Sequence, residues 1–271
     1  MNDEDFKPLT VILDIVTDPN LGDVCLFAVD YDISEDNVKN FEEKTGGKLI
    51  NARKSLFTLD EKESQYVTQA KGLTHFCRST NFCAGCGNSL IYKSAGTHKQ
   101  CEKCKRSYYP QISPVGITLI EDKTHSKVLL VRQSRHPAGM YSCVAGFIEP
   151  GESLEMNIKR EIAEEVGLDV ENVEYCASQH WAMPASQLML GCIATACGEN
   201  FETDENEIQD AKWVVAEELK DAVNRIKKSR SLSDVNPNAL WVPPPSAVAH
   251  QLMSIWLKKY HNYAVPVASH I

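Results

Sequence analysis

Three glutamates stand close together in the stretch KREIAEEVG, which covers residues 159–167. They are Glu161, Glu164 and Glu165, and on a helix such offsets of three and four residues bring side chains to one face. Like charges at this spacing repel one another and cost helix stability. The stretch is therefore either an ordinary solvated acidic face or a cradle for a positively charged ligand.

Clustered carboxylate oxygens of this kind suit Mg²⁺ or Mn²⁺, which also bind the phosphate oxygens of substrates. Such ions neutralise phosphate charge and lower the pKa of water that they bind. That is the chemistry of cleaving a diphosphate. Composition alone favours the solvated face, so a decision between the two needs the residues around the glutamates.

Four cysteines form a second candidate site, in a C-x2-C-x14-C-x2-C array. Two thiolates two residues apart can hold one ion from a tight turn, and a hairpin can bring a second pair round to complete a tetrahedron. Because four thiolates leave no coordination position for a substrate, the array predicts one structural zinc ion per chain. The predicted ligands are Cys83, Cys86, Cys101 and Cys104.

Basic residues around the array leave a nucleic-acid interpretation open. Lys99, Lys103, Lys105 and Arg106 give local positive charge, although such residues are often only the solvated surface of a ribbon. The net charge of −9 over 271 residues argues against broad, sequence-independent nucleic-acid binding. The six other cysteines are predicted to be mostly core residues rather than disulfides, since nothing marks the chain as secreted.

Apolar patterning divides the chain into three predicted parts. Residues 1–75 form a small strand-rich domain, residues 76–110 the zinc ribbon, and residues 111–271 a mixed α+β domain. In the first part, strands are predicted over 9–16, 24–31 and 48–59, and a helix over 63–77. No residue there carries recognisable chemistry, so a scaffold or dimerisation role is expected.

The third part alternates strands with a few helices. A helix is predicted over 153–166, with Gly167 ending it, because a glycine readily adopts the left-handed conformation of a helix C-cap. A polar connector is predicted over 220–245. It leads to a last helix, for which Ser246 is the expected N-cap.

The residues before the acidic helix decide between its two interpretations. With them, the segment resembles without departure the Nudix signature G-x5-E-x7-R-E-U-x-E-E-x-G-U, where U is aliphatic. The matching residues outside the three glutamates are Gly146, Glu152, Arg160, Ile162, Gly167 and Leu168. The segment is thereby identified as that of a Nudix hydrolase.

This resemblance implies an α/β/α sandwich that hydrolyses a nucleoside diphosphate linked to another group. It implies that Glu161, Glu164 and Glu165 hold catalytic Mg²⁺ or Mn²⁺, with Glu165 the best candidate for a base. Glu152 and Arg160 are implied to form a supporting ion pair. The expected architecture is thus α+β: a Nudix sandwich preceded by a four-cysteine zinc ribbon and a small strand-rich domain.

A second motif follows the box, in the stretch SQHWAMPAS at residues 178–186. It resembles the S-Q-P-W-P-F-P-x-S motif of NADH pyrophosphatases within the Nudix group. His180, Ala182 and Met183 depart from it, and one residue is inserted before Leu188. Without the resemblance, Trp181 and Met183 are more often core residues than ligands for a flat base.

Further segments resemble the same subfamily, including the ribbon placed before the Nudix domain and the stretch PPPSAVAHQL at 243–252. The resemblance implies that Glu207 approaches the metal and that Tyr109 and Phe147 stack on substrate rings. It implies backbone contact from Ala249 and a homodimeric assembly. The substrate-binding candidates are Tyr109, Phe147, Gln179, Trp181, Ser186 and Ala249.

Together these features predict hydrolysis of NADH, and also NAD⁺, to nicotinamide mononucleotide and AMP. Removal of NAD caps from RNA is the alternative, as is hydrolysis of NADPH or ADP-ribose. A non-catalytic binding module is disfavoured, because the box is whole.

The predicted location rests on the two ends of the sequence and on the absence of a membrane span. No run approaches the roughly 18 apolar residues of a membrane helix. The N-terminal stretch MNDEDFKPL lacks the features of a signal or transit peptide. Ser269-His270-Ile271 resembles a loosened peroxisomal signal. We therefore expect recognition by a peroxisomal import receptor, and a cytoplasmic location otherwise.

Overall fold

The computed structural model describes residues 9–31, 33–55, 59–93, 96–183, 186–228 and 238–263. They fall into two compact units. The first unit contains the described residues of 1–52, 61–112 and 180–186, and the second contains those of 53–60, 113–179 and 187–271. Among the described residues of both units, no helix is long and apolar enough to cross a membrane.

The first unit begins with an antiparallel hairpin of β1 (Leu9–Asp18) and β2 (Gly22–Asp30). After a 3₁₀ turn at Glu35–Asn37 come α1 (Val38–Thr45), the short α2 (Ala52–Ser55), whose last three residues belong to the second unit, and the long α3 (Glu61–Ser79). Phe76 and Cys77 of α3 pack with Val11 of β1 in a small core. A two-stranded sheet is marginally stable alone, so α3 supplies the surface that this hairpin needs.

The strand predicted over 48–59 is wrong. Residues 48–51 carry no strand, Ala52–Ser55 is helical, and residues 56–58 lie outside the described part. Ala52, Arg53 and Lys54 are good helix formers, and alanine and lysine are depleted in strands. The first two predicted strands and the helix over 63–77 are confirmed.

A small three-stranded sheet completes the first unit. It has the order β3 (Leu90–Lys93), β4 (His98–Cys101), β5 (Ser107–Tyr108), with both pairs antiparallel. The domain boundaries predicted at residues 75 and 110 stay predictions, and α3 runs across the first of them.

The second unit contains a six-stranded mixed sheet. Its strands are β6 (Ser113–Glu121), β7 (Lys127–Arg132), β8 (Val144–Phe147), β9 (Val170–Trp181), β10 (Gln187–Ala196) and β11 (Asp210–Val215). The order is β11-β7-β6-β10-β9, with β8 paired to β6. Strands β6 and β10 are parallel and central, which fits the uninterrupted burial of residues 115–121 in β6.

Helices cover both faces of this sheet. Leu119 and Leu130 point to one face, where they pack with α5 (Ala216–Lys228) and α6 (Val248–His261). The neighbouring Ile120 and Leu129 point to the other face, towards α4 (Leu154–Val166). This strict alternation builds the predicted α/β/α sandwich.

Two predictions about the end of the chain are wrong. The polar connector over 220–245 begins with most of α5, because Leu219, Ala222, Val223 and Ile226 recur at helical spacing and are buried. Ala247 rather than Ser246 is the N-cap of α6, and no side chain of that residue caps the helix. Ser269-His270-Ile271 lies outside the described residues.

His250 is a titratable side chain inside this core. Its Nδ1 lies 2.9 Å from the Pro243 carbonyl oxygen, and its Nε2 is buried without a hydrogen-bond partner. Burial lowers the pKa of His250 from its ordinary 6.5 to about 4. The native protein therefore holds the neutral ring at a pH where the unfolded chain protonates it.

Between pH 6.5 and pH 4 the unfolded state binds more protons than the native state, so stability should fall as the pH falls. The full loss attributable to His250 is about 3 kcal/mol. In His250→Asn the amide nitrogen can still donate to Pro243, and the side chain does not titrate. Denaturant unfolding from pH 7 to pH 4 should show a shallower decline for this variant. The exposed His75→Asn variant is the control, and a wild-type slope in His250→Asn would contradict the assignment.

Candidate active site

The acidic helix α4 is fixed at both ends by local hydrogen bonds. Ser153 is its N-cap, and its Oγ accepts a hydrogen bond from Met156 N at 3.3 Å. Gly167 ends the helix with φ +64°, a conformation that only glycine adopts at little cost. Ile158 and Ile162 are fully buried on the sheet side. Helix ends and apolar face together fix which side chains point outward.

Arg160 binds the loop before α4 to the helix itself. Its Nε lies 2.6 Å from Glu152 Oε1, and its Nη2 donates to Glu152 Oε2 at 2.9 Å and to the Phe147 carbonyl oxygen at 3.0 Å. The hydrogen bond from Arg160 lowers the pKa of Glu152 to about 2. This is the arrangement that the resemblance implied for the two residues.

The same guanidinium also faces two of the predicted metal ligands. Arg160 Nη1 lies 2.9 Å from Glu161 Oε1 and 2.8 Å from Glu164 Oε2. One cation therefore offsets part of the repulsion among three glutamates. The sequence indicated only the pair with Glu152.

Gly146 leaves the space that the Glu161 carboxylate occupies. A Cβ at position 146 would overlap the carboxyl group of Glu161. Gly116, the partner of Gly146 across the β6–β8 ladder, is covered in the same way by the Asn157 side-chain amide. Asn157 Nδ2 in turn donates to the Phe147 carbonyl oxygen at 2.7 Å. Two paired glycines thus let α4 lie close on the sheet.

Glu165 is the most buried of these glutamates. It is 3% exposed, and its Oε2 has no hydrogen-bond partner. Burial, followed by the charges of Glu161 and Glu207, raises the pKa of Glu165 to about 8, while the Arg135 charge opposes the shift. Burial also raises the pKa of Glu161. Each shift reports a site at which negative charge is crowded and poorly solvated.

Glu207 reaches this cluster from outside the helix. It lies in an exposed turn whose first residue, Asp204, donates its backbone N–H to the Glu165 carbonyl oxygen at 3.1 Å. The charges of Glu161, Glu164 and Glu207 all act on Glu165, and carboxylate oxygens are the donors that hard divalent cations prefer. Arg135, on the loop after β7, is a charged neighbour that no sequence signal identified.

The six predicted substrate residues lie in different surroundings. Phe147 is 54% exposed at the end of β8 beside Gly146, and Tyr109 is exposed and stacks on His98 with ring centroids 5.3 Å apart. Trp181 is half-buried, while Ser186 and Ala249 are buried. Met183 is also buried, which agrees with the alternative prediction that it is a core residue.

Gln179 uses its side-chain amide on the protein's own backbone. Its Oε1 accepts from Val248 N at 2.8 Å, and its Nε2 donates to the Ser246 carbonyl oxygen at 2.5 Å. Gln179 therefore satisfies an N-terminal amide of α6, which is the role predicted for Ser246. It also joins β9 to the start of α6, the helix that contains Ala249.

The four predicted zinc ligands converge. All four Sγ atoms lie within 4.8 Å of one another, and among the described residues this is the one group of at least three potential metal ligands that converges so closely. The Tyr108 hydroxyl, 3.1 Å from Cys83 Sγ, lowers the pKa of that thiol to about 6. The cluster could hold a metal ion that prefers thiolates.

One expectation about the residues near this cluster is wrong. Lys99 is no part of a basic surface: it is 1% exposed, and its Nζ donates to the carbonyl oxygens of Cys77 and Thr80 at the end of α3. The expectation that the six other cysteines are mostly core residues is confirmed, with Cys25 and Cys197 as the exposed exceptions.

A family comparison identifies the part of the chain that contains the acidic helix. Residues 110–234 match the family model described as NUDIX domain. The chain contains a NUDIX domain. This confirms the fold expected from the signature, and the match contains the acidic helix, Gly146 and Glu207.

Curated relatives resemble more of the chain than the NUDIX domain alone. The human NAD(P)H pyrophosphatase NUDT13, mitochondrial, is 38% identical over 83% of this chain and 64% of its own length. The human NAD-capped RNA hydrolase NUDT12 is 38% identical over 75% of this chain and 44% of its own length. NudC of Chromobacterium violaceum, an NAD-capped RNA hydrolase, is 38% identical over 62% of each chain. The chain thus spans about half to two thirds of the length of these relatives.

In the NUDIX domain, Gly146→Ala should displace the Glu161 carboxylate. We expect overpacking to lower the free energy of unfolding by about 1–3 kcal/mol. We also expect a loss of about tenfold in Mn²⁺ affinity, because the ligand loses its position. Denaturant unfolding and calorimetric Mn²⁺ titration measure the two effects.

The matched control is Gly198→Ala, where an added Cβ meets no atom within 4 Å. It should leave both quantities unchanged. Wild-type Mn²⁺ affinity in Gly146→Ala would contradict the steric account.

Proposed function

We propose that this chain is a divalent-cation-dependent hydrolase that splits the diphosphate of NADH, and also of NAD⁺, into nicotinamide mononucleotide and AMP. The observation that carries the proposal is the buried, unpaired Oε2 of Glu165 within a cluster of carboxylates. The relatives named NAD(P)H pyrophosphatase and NAD-capped RNA hydrolase support a dinucleotide substrate.

In the proposed mechanism, Glu161, Glu164, Glu165 and Glu207 would hold Mg²⁺ or Mn²⁺. When bound, the cation supplies charge neutralisation for the diphosphate and a more acidic water. Glu165 accepts the proton that water loses as its oxygen bonds to one phosphorus, and the bridging P–O bond breaks.

The remaining residues are proposed to hold the substrate. The exposed rings of Phe147 and Tyr109 offer flat surfaces for the nucleotide rings, and Trp181 and Ser186 supply the motif contacts. Ala249 contributes through its backbone. Gln179 acts through the turn that it holds, because both its amide groups are already bonded.

Removal of NAD caps from RNA is the second candidate. Lys103 and Lys105 are exposed beside the cysteine cluster and could contact RNA phosphates, whereas buried Lys99 cannot. The names of NUDT12 and NudC support this activity. Because phosphate contacts release counterions, cap removal should weaken with salt more steeply than NADH hydrolysis does.

Assembly and location stay predictions. The homodimer and the peroxisomal import receptor rest on the family resemblance and on Ser269-His270-Ile271. The relative NUDT13 is named as mitochondrial, which points to another organelle.

A substrate panel with Mg²⁺ and with Mn²⁺ tests the function. It compares NADH, NAD⁺, NADPH, ADP-ribose, diadenosine polyphosphates and NAD-capped RNA by kcat/KM. We expect NADH to lead. A wide margin in favour of ADP-ribose or diadenosine polyphosphates would refute the substrate assignment.

Within the same assay, Glu165→Gln should reduce kcat by at least about 100-fold, the typical contribution of a general base. It should remain folded, since burying a neutral amide costs less than burying a charge. Glu155→Gln, an exposed change in the first turn of the same helix, is the control and should retain activity. Full turnover by Glu165→Gln would refute the mechanism.

We also propose that the cysteine cluster holds one structural Zn²⁺. Cys101→Ser should lower bound zinc from one ion per chain towards none and lower the melting temperature, because the cluster closes the small sheet β3–β5. Metal analysis after dialysis measures the first effect. The exposed Cys197→Ser is the control, and folded wild-type protein without zinc would contradict the proposal.

A further inference from the structure

Helix α3 carries a buried glycine in its interior. Gly72 lies in the middle of Glu61–Ser79, far from either end. Glycine destabilises a helix interior relative to alanine, and here it caps nothing. Its presence therefore requires a packing reason.

That reason is a close neighbour on the helix face. A Cβ at position 72 would lie 2.6 Å from Ser186 Oγ and 3.1 Å from His180 Cε1. The first distance is shorter than real Cβ contacts allow, so no larger residue fits while these two side chains keep their places. Gly72 is the position at which α3 accommodates both.

His180 and Ser186 bound the segment that contains most of the SQHWAMPAS motif. Residues 180–186 belong to the first compact unit, whereas Gln179 and Gln187, on either side, belong to the second. Ala182, Met183 and Ser186 are buried, and burial lowers the pKa of His180. The described residues of 180–186 thus belong to the same unit as α3.

We propose that Gly72 is a positioning residue: it lets α3 support His180 and Ser186 and thereby sets how tightly the dinucleotide is held. This inference rests on the proposed function. It assigns the first unit a task in substrate binding. It also accounts for one departure from the motif, since His180, which replaces a proline, packs on Gly72.

Gly72→Ala separates packing from helix propensity, because the two predict opposite signs. Propensity alone predicts a more stable protein with unchanged kinetics. The proposal predicts a lower melting temperature, a rise of about tenfold in KM for NADH, equivalent to 1.4 kcal/mol of binding, and a kcat within about twofold of wild type. Hydrogen exchange should accelerate in peptides covering 180–186.

A double-mutant cycle with Ser186→Ala identifies the contact. Removing Oγ takes away the nearest clash. Gly72→Ala should therefore raise KM and lower the melting temperature much less in the Ser186→Ala background than in wild type. If Gly72→Ala does not fold, the double variant should restore folding. His75→Ala, an exposed change on the same helix, is the control and should leave KM unchanged.

Additive effects in the cycle overturn the proposal, as does a double variant that folds no better than Gly72→Ala. Wild-type KM in a folded Gly72→Ala also overturns it. Wild-type protein that does not hydrolyse NADH refutes the proposed function instead, and in that case the exchange rates and melting temperatures still test the contact.

Discussion

Repulsion among buried and half-buried carboxylates is the constraint around which the NUDIX domain is arranged. Glu161 and Glu165 lie four residues apart on one helix, and Glu207 adds its charge from a neighbouring turn. Taking these groups out of water disfavours their charged forms, and the raised pKa values of Glu161 and Glu165 record that cost. A fold that tolerates such a cluster must supply positive charge, fixed geometry, or a bound cation.

The surrounding residues supply the first two. Arg160 offsets charge on Glu161 and Glu164 and, through Glu152, holds the preceding loop against the helix. Gly146 and Gly116 bring α4 close enough to the sheet for the Glu161 carboxylate and the Asn157 amide to lie over the strands. Ser153 and Gly167 then set where the helix begins and ends. The spacing of the signature thus places the repelling glutamates, the arginine that offsets their charge and the glycine that makes room for them on one continuous strand, loop and helix.

Such local solutions are the ones that the sequence predicts well. The acidic box, the cysteine array and the strands of the sheet follow from residues that interact with near neighbours or recur at a fixed period. Where the partner is distant, pattern reasoning fails. Gln179 caps α6 across 69 residues, and the sequence predicted that role for nearby Ser246. The sequence also predicted Lys99 as surface charge. Its ammonium group instead donates to the carbonyl oxygens of Cys77 and Thr80 at the end of α3, 22 and 19 residues away.

The same distinction separates the reaction from the substrate. Apart from Glu207, the groups assigned to bond cleavage lie on one helix and its entry loop, so a nearly fixed sequence pattern can encode them. The groups assigned to dinucleotide binding depend on side chains brought together from distant segments, as Gly72 with His180 and Gln179 with Val248 illustrate. A change in the motif can then be matched by a change in another segment, such as a glycine opposite a larger ring. Under the proposal that Gly72 positions His180 and Ser186, part of the fit to the substrate is encoded in α3, outside the motif itself.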